Sequence, residues 1–371
     1  IAPFKKGGNF SSMKEIRDYL ALNIAVRGPA LYEIPLESHA TSPDVVLKEG
    51  YASQLDYIRT MVALLKGARF DATIVFAANN SGDTDLVRKY DIELHPNLAK
   101  FSTPLAKVSH GGKEYFIGFE NEYTPVGATA FCGSDYFDPL SESFGKVVAS
   151  DEIYEDMSES RISMDVRDNG AVDYKSCFTV HGHEAGVWIK KHNSLVPEEL
   201  NRYYQGLLSS VSHAAESQSE LFFTPEGYPF RQEFSCFIPN YAVVDDDVMT
   251  VTIPHVKLPL PNLPDGKREL PILLKECSFA EQIYSIAFPE GYKRFEYLPK
   301  DMEIRNPLEG NQILYSYKVR KSVENGVLKV VVKSTTFAHK DIVLPSDCAP
   351  LLRHYCKEIS SQSTRSISVS R

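Results

Sequence analysis

Near residue 70 the hydrophobic period of this chain changes, and that change limits its fold more than any other property of the sequence. Upstream, apolar residues recur every three or four positions, as on one face of a helix. Downstream they alternate, as on a strand. Ser12-Met13-Lys14-Glu15 forms a capping box, and Ile16, Leu20 and Ile24 continue it at helical spacing. A short helix is expected after Ser42-Pro43, with Ser at the cap and Pro in the first turn, stopping at Gly50. A third begins after Ser53. Its stripe of Leu55, Ile58, Val62 and Leu65 is widened by Met61, Leu64 and Ala68, so this helix should be well buried. Ala72–Ala77 then reads as a strand, Asn79-Asn80-Ser81-Gly82-Asp83 as a loop, and Pro104–Val108 with Glu114–Phe119 as a hairpin turning at His110-Gly111-Gly112. Helices followed by antiparallel strands make an α+β unit, expected to span residues 1–140.

Residues 141–371 are expected to be β-rich and sandwich-like. Asp168-Asn169-Gly170 and Glu324-Asn325-Gly326 are hairpin turns between alternating runs. Helices are expected near 197–211 and 346–360, and a last strand over Arg365–Ser370. The proline-rich connector Pro259–Gly266 leaves open a split into two subdomains near 250–265.

The bulk chemistry removes some classes of function. Forty basic against 49 acidic residues leave a net charge of −9, which argues against nucleic-acid binding, since that normally needs a basic face. No apolar run approaches the roughly 18 residues of a membrane span. The start, Ile1-Ala2-Pro3-Phe4-Lys5-Lys6, lacks an initiator Met and an apolar signal core, which suggests a piece of a longer precursor. Six cysteines, at 132, 177, 236, 277, 348 and 356, form no CxxC and read as buried thiols, with one or two disulfides open if the protein is exported.

The run Ser42-Pro43-Asp44-Val45-Val46-Leu47-Lys48-Glu49-Gly50-Tyr51-Ala52-Ser53-Gln54-Leu55-Asp56 leads into Ala63-Leu64-Leu65-Lys66 and then the strand Ala72–Ala77. This order resembles the transglutaminase-like, papain-like thiol superfamily, where a short helix and a turn precede G-D-C-x-D and an A-L-L-[RK] helix. In that register Gln54 occupies the cysteine position. Thr103, within Phe101-Ser102-Thr103-Pro104, stands at the histidine position. Gly118, after Tyr115-Phe116-Ile117 and before Tyr123-Thr124-Pro125-Val126-Gly127, stands at the aspartate position. Further words, Arg268-Glu269-Leu270-Pro271, Phe288-Pro289-Glu290-Gly291-Tyr292, Tyr297-Leu298-Pro299 and Leu344-Pro345-Ser346, are similar to the region after such a domain in a family of bacterial multidomain proteins of uncharacterised function.

The residue types decide what the resemblance implies. Thiol attack requires a thiolate, an imidazole to activate it and a carboxylate to orient the imidazole. An amide, a hydroxyl and a bare backbone supply none of these, and losing the nucleophile or base of such a unit costs roughly a million-fold in turnover. The expectation is therefore a protein without catalysis, a binding or structural module that takes no cofactor and holds a peptide or glycan. Its groove would be lined by Ser53, Gln54, Asp56, Thr103, Gly118 and Glu120. Family resemblance implies an envelope or periplasmic location. The rival is a hydrolase with a relocated or metal-dependent site, in which His181 and His183 share one strand face as ligands. Cys132 is expected to be a packed thiol without a histidine partner. Asp245-Asp246-Asp247 lacks calcium-loop spacing, and Gly111-Gly112-Lys113 lacks the phosphate-loop frame.

Overall fold

A computed structural model describes residues 10–28, 41–78, 100–254, 263–274, 279–306, 313–337, 342–361 and 365–371. The loop expected at 79–83, the first half of the 259–266 connector and Cys277 lie outside the described residues. The chain forms an α+β fold that divides into two compact units. One unit takes residues up to 156 together with 181–193 and 225–230, and the other takes the rest.

In the first unit, helix α1 (Phe10–Asn23) buries Met13, Ile16 and Leu20. A two-residue strand, β1 (Ala25–Val26), pairs in parallel with β2 (Tyr51–Ala52). Between them, α2 (Pro43–Glu49) starts on its proline and ends where Gly50 takes the left-handed conformation, φ 74°, and returns its N–H to Val46 O. Helix α3 (Gln54–Gly67) is capped by Ser53, whose Oγ accepts from Asp56 N at 3.2 Å. Its expected stripe is buried at Ile58, Met61, Leu64 and Leu65, while Leu55 is only half-buried.

The sheet of this unit contains β3 (Asp71–Ala77), β4 (Thr103–His110), β5 (Lys113–Ile117), β6 (Asp135–Asp138) and β7 (Ser143–Lys146), in the order β5-β4-β3-β6-β7. Alternation gives each face its own core. Ala72, Ala106, Val108 and Ile117 join the helical core, whereas Val75, Leu105 and Phe116 pack with Tyr136 and Val147. Burying each large side chain contributes about 1.5–3 kcal/mol, so a one-residue slip of register would exchange both cores at once.

A helix absent from the sequence expectations, α4 (Gly182–Asn193), completes this unit. A Cβ at Gly186 would lie 2.2 Å from Thr124 Oγ1 and 2.6 Å from Thr124 N, so the helix backbone rests directly on the turn at Thr124. Lys190 reaches Glu122 at 3.2 Å.

The second unit is a sandwich. Its larger sheet holds β8 (Met157–Val166), β9 (Val172–Val180), β10 (Glu216–Ser217), β11 (Phe222–Phe223), β12 (Phe230–Ile238), β16 (Phe279–Ala287), β18 (Met302–Arg305), β19 (Ile313–Glu324) and β20 (Val327–Thr336). The order is β10-β12-β9-β8-β16-β20-β19-β18, with β11 also on β12. Both predicted hairpins are present, β8–β9 and β19–β20, and β16 joins β8 in parallel. Gly170 in the first turn has φ 79°, and a Cβ there would lie 2.5 Å from Ala242 O. The smaller sheet is β13 (Val243–Asp245), β14 (Val248–Thr252), β22 (Ser366–Ser370) and β17 (Arg294–Tyr297). Met249, Val251, Ile367 and Val369 from it share one core with Ile162, Tyr284 and Val330 of the larger sheet. A short pair, β15 (Ile272–Leu274) with β21 (Ile342–Leu344), forms its own two-stranded sheet and adds Ile272 and Leu344 to the same core. Helix α5 (Pro197–Val211) adds Tyr204 and Leu208 to the core, and α6 (Ala349–Ser360) adds Leu352. Among the described residues, no helix is long and apolar enough to cross a membrane.

Candidate functional site

The start of α3 and the segment leaving β5 come together in the first unit. Tyr57, one turn after Gln54, meets Phe119 edge-on with ring centroids 6.5 Å apart. Glu120 then folds back so that its Oε2 accepts the Gly118 N–H at 2.7 Å. A Cβ at Gly118 would lie 3.0 and 3.1 Å from the two Glu120 carboxylate oxygens and 3.1 Å from Leu105 Cδ2. The missing side chain is thus the space that a carboxylate two residues on enters. Glu120 is half-buried, and among the described residues no lysine or arginine pairs with it.

Burial is the main cause that pushes the Tyr57 hydroxyl above its ordinary range, and the charge of Glu120 adds to it. The Arg17 guanidinium acts the other way. Arg17 is 1% exposed, donates from Nε to Asp18 Oδ1 at 2.7 Å, and leaves Nη2 without a hydrogen-bond partner among the described residues. Nothing in the sequence marked Arg17, because a single arginine on an amphipathic helix looks like a solvated charge. The Tyr57 phenol stays protonated at neutral pH and can donate a hydrogen bond.

The other expected groove residues fall in different places. Ser53 and Gln54 are half-buried at the N-terminus of α3, where the backbone N–H groups of a first helical turn favour acceptors and Ser53 Oγ serves as one. Asp56 is 2% exposed and accepts from Arg59 Nη1 at 3.2 Å, so its carboxylate is engaged within the helix. Thr103 opens β4 and, by alternation, shares the strand face of Leu105 and Lys107, the latter bonded to Tyr136 Oη at 2.9 Å. Helix α3 covers the opposite face, with Ala106 and Val108. Gln54 lies one helical turn before Tyr57, whose ring meets Phe119 next to Gly118, and Thr103 lies on the sheet face opposite to the one α3 covers.

His181 and His183 do not share a strand face. His181 precedes α4, with Nδ1 3.4 Å from Tyr228 Oη, and His183 is the second residue of that helix. Tyr228 Oη also donates to Ile153 O and accepts from Gly182 N, so this phenol ties down the helix start. Among the described residues, no group of three or more His, Cys, Asp or Glu side chains is placed to hold a metal ion. The cysteines at 132, 177, 236, 348 and 356 are in no disulfide.

No protein-family model and no curated protein matches this chain. A solved structure from Parabacteroides distasonis, described as a "putative protease", is similar at 14% identity and a TM-score of 0.44, over 99% of this chain and 53% of that one. This chain thus spans about half the length of that protein. The expectation that the chain is no enzyme is contradicted only by the description of that similar protein, a likeness that carries no activity over to this chain. The replaced letters at Gln54, Thr103 and Gly118 speak only against a thiol triad at those positions. A likeness at this level transfers no residue roles.

Proposed function

We propose that the first unit is a transglutaminase-like scaffold that binds an extended peptide beside the N-terminus of α3, with Glu120 receiving a basic group. One observation carries this reading: a half-buried carboxylate accepts a backbone N–H and, among the described residues, pairs with no cation, within electrostatic reach of the Tyr57 phenol. The Glu120 carboxylate, which accepts the Gly118 N–H, has further lone pairs to offer, and a lysine side chain or a free amine from a ligand would fill them with charge-assisted hydrogen bonds. The first turn of α3, where Ser53 Oγ takes the Asp56 N–H, presents its other backbone N–H groups as donors for the ligand's carbonyls.

Recognition of this kind precedes turnover in an enzyme as much as it suffices in a receptor, so the test reads both. Hexapeptides that differ only in a central Lys, Ala or Glu are titrated against the protein, and the mixtures are inspected by mass spectrometry for cleavage or amine transfer. The reading expects the lysine peptide to bind most tightly and the Glu120→Gln variant to lose that preference. Equal binding of all three peptides, or a preference unchanged by the substitution, would overturn it.

A further inference from the structure

The sandwich unit carries an open cavity of about 580 Å³ on the outward face of its larger sheet. Its floor follows from strand alternation. Ile162, Tyr174, Phe234 and Tyr284 turn into the core, so their neighbours along β8, β9, β12 and β16 turn outward. Cross-strand register sets Arg161 opposite Cys177, and Ser163 opposite Lys175 and Ser285. The segment from Ser219 to Phe222, which returns to pair with Glu233 of β12, forms the wall.

The lining has a definite chemistry. Arg161, Lys175 and Arg231 bring three cations against the carboxylates of Glu220 and Glu233. Arg231 is paired with Glu233, and Arg161 is held by Glu159 through two bonds of 2.5 and 2.9 Å, so both guanidinium groups are fixed in orientation. Serine hydroxyls line the floor and the wall between these charges. Phe222, 53% exposed, contributes an uncovered ring.

A phosphate dianion would meet two carboxylates at close range, which disfavours it. Glu159 and Glu233 already neutralise Arg161 and Arg231, which leaves Lys175 as the lining cation that pairs with no carboxylate among the described residues, and a neutral sugar would leave it unused. A monoanion that also carries many hydroxyls satisfies the lining: carboxylate to the Lys175 ammonium, hydroxyls to Glu220 and the serines, and a C–H face to the aromatic ring. The volume lies within the range of small-molecule sites and exceeds what a single sugar ring fills. We propose that this cavity binds a short acidic saccharide, an oligomer that contains hexuronate residues. The site is separate from the peptide groove and does not rest on that reading.

The probes are trigalacturonate and its uncharged analogue, the trimer of galactose, titrated against the full chain by calorimetry and saturation-transfer NMR. Lys175→Gln and Phe222→Ala change exposed side chains and should leave the fold intact. The expected result is binding of the acidic trimer that weakens with salt, is about tenfold weaker in each variant, and is absent for the neutral trimer. Any of three results would overturn the proposal: no binding of the acidic trimer at millimolar concentration, equal binding of the neutral trimer, or affinity unchanged in both variants.

Discussion

Alanine in place of Gly118 tests the packing of the candidate peptide site. Its Cβ would stand 3.0 and 3.1 Å from the Glu120 oxygens and 3.1 Å from Leu105 Cδ2, tighter than ordinary contacts. The flexible Glu120 side chain would give way first and lose its 2.7 Å bond to the Gly118 N–H. Hydrogen bonds to charged groups contribute roughly 1.5–3 kcal/mol, and partial solvent screening at half-buried Glu120 lowers this to about 1 kcal/mol. Crowding of Leu105 in the core adds about 1 kcal/mol, so Gly118→Ala should cost about 2 kcal/mol. In a Glu120→Ala background only the Leu105 share remains, and the two changes should couple by about 1 kcal/mol. Denaturant unfolding followed by the fluorescence of Trp188, the chain's one tryptophan and part of the same unit, measures the cycle. Strictly additive losses would refute the account of Gly118 as space that Glu120 enters.

Two further perturbations probe α4 in this unit. Gly186→Ala drives a Cβ into the Thr124 backbone, 2.7 Å from its Cα, and should lower stability by about 3 kcal/mol, seen as a lower thermal midpoint. Asp156 accepts the Glu184 N–H at 3.2 Å, and burial holds its carboxyl above the usual carboxylate range, although the bond from Glu184 and the charge of His183 pull it down. A raised carboxyl pKa means that the native state binds the proton more tightly than the unfolded chain. The favourable share is present below the unfolded value of about 3.9 and is lost as pH rises through the folded one. Asp156→Asn keeps the acceptor and removes the charge, so it should flatten this part of the stability–pH curve. Urea titrations between pH 3 and 7, set about the usual carboxylate range, would show an unaltered slope if the cause is misassigned.

Local signals in the sequence carried most of the elements. The Ser42-Pro43 start and Gly50 stop of α2, the Ser53 cap of α3, the Pro197 start of α5 and the Asn-Gly turn at 325–326 are each specified by one or two residues. Helix α4 was missed for the opposite reason. Its run Gly182-His183-Glu184-Ala185-Gly186 holds two glycines, and its first turn is satisfied by Asp156 and Tyr228, both remote in sequence. The glycines that lower its propensity are those its packing demands, since a Cβ at Gly182 would lie 2.2 Å from Asp156 Oδ1. The parallel junction of β8 with β16 likewise depends on partners more than a hundred residues apart. At the candidate site, Gly118 could be singled out by its residue type and Glu120 as an acceptor beside it. The return of that carboxylate onto the Gly118 N–H, and the buried Arg17 behind Tyr57, arise only when the segments are packed.

Glu120 is the anion that the proposed peptide recognition requires, and a thermodynamic cycle on the ligand addresses it most directly. Dissociation constants are measured for one hexapeptide with lysine and with acetyl-lysine at the same position, on the native protein and on Glu120→Gln. Removing the ligand's charge should weaken binding to the native protein about tenfold, or about 1.4 kcal/mol, and should leave binding to the variant unchanged. Discrimination that persists in the variant, or is absent from the native protein, would contradict the account.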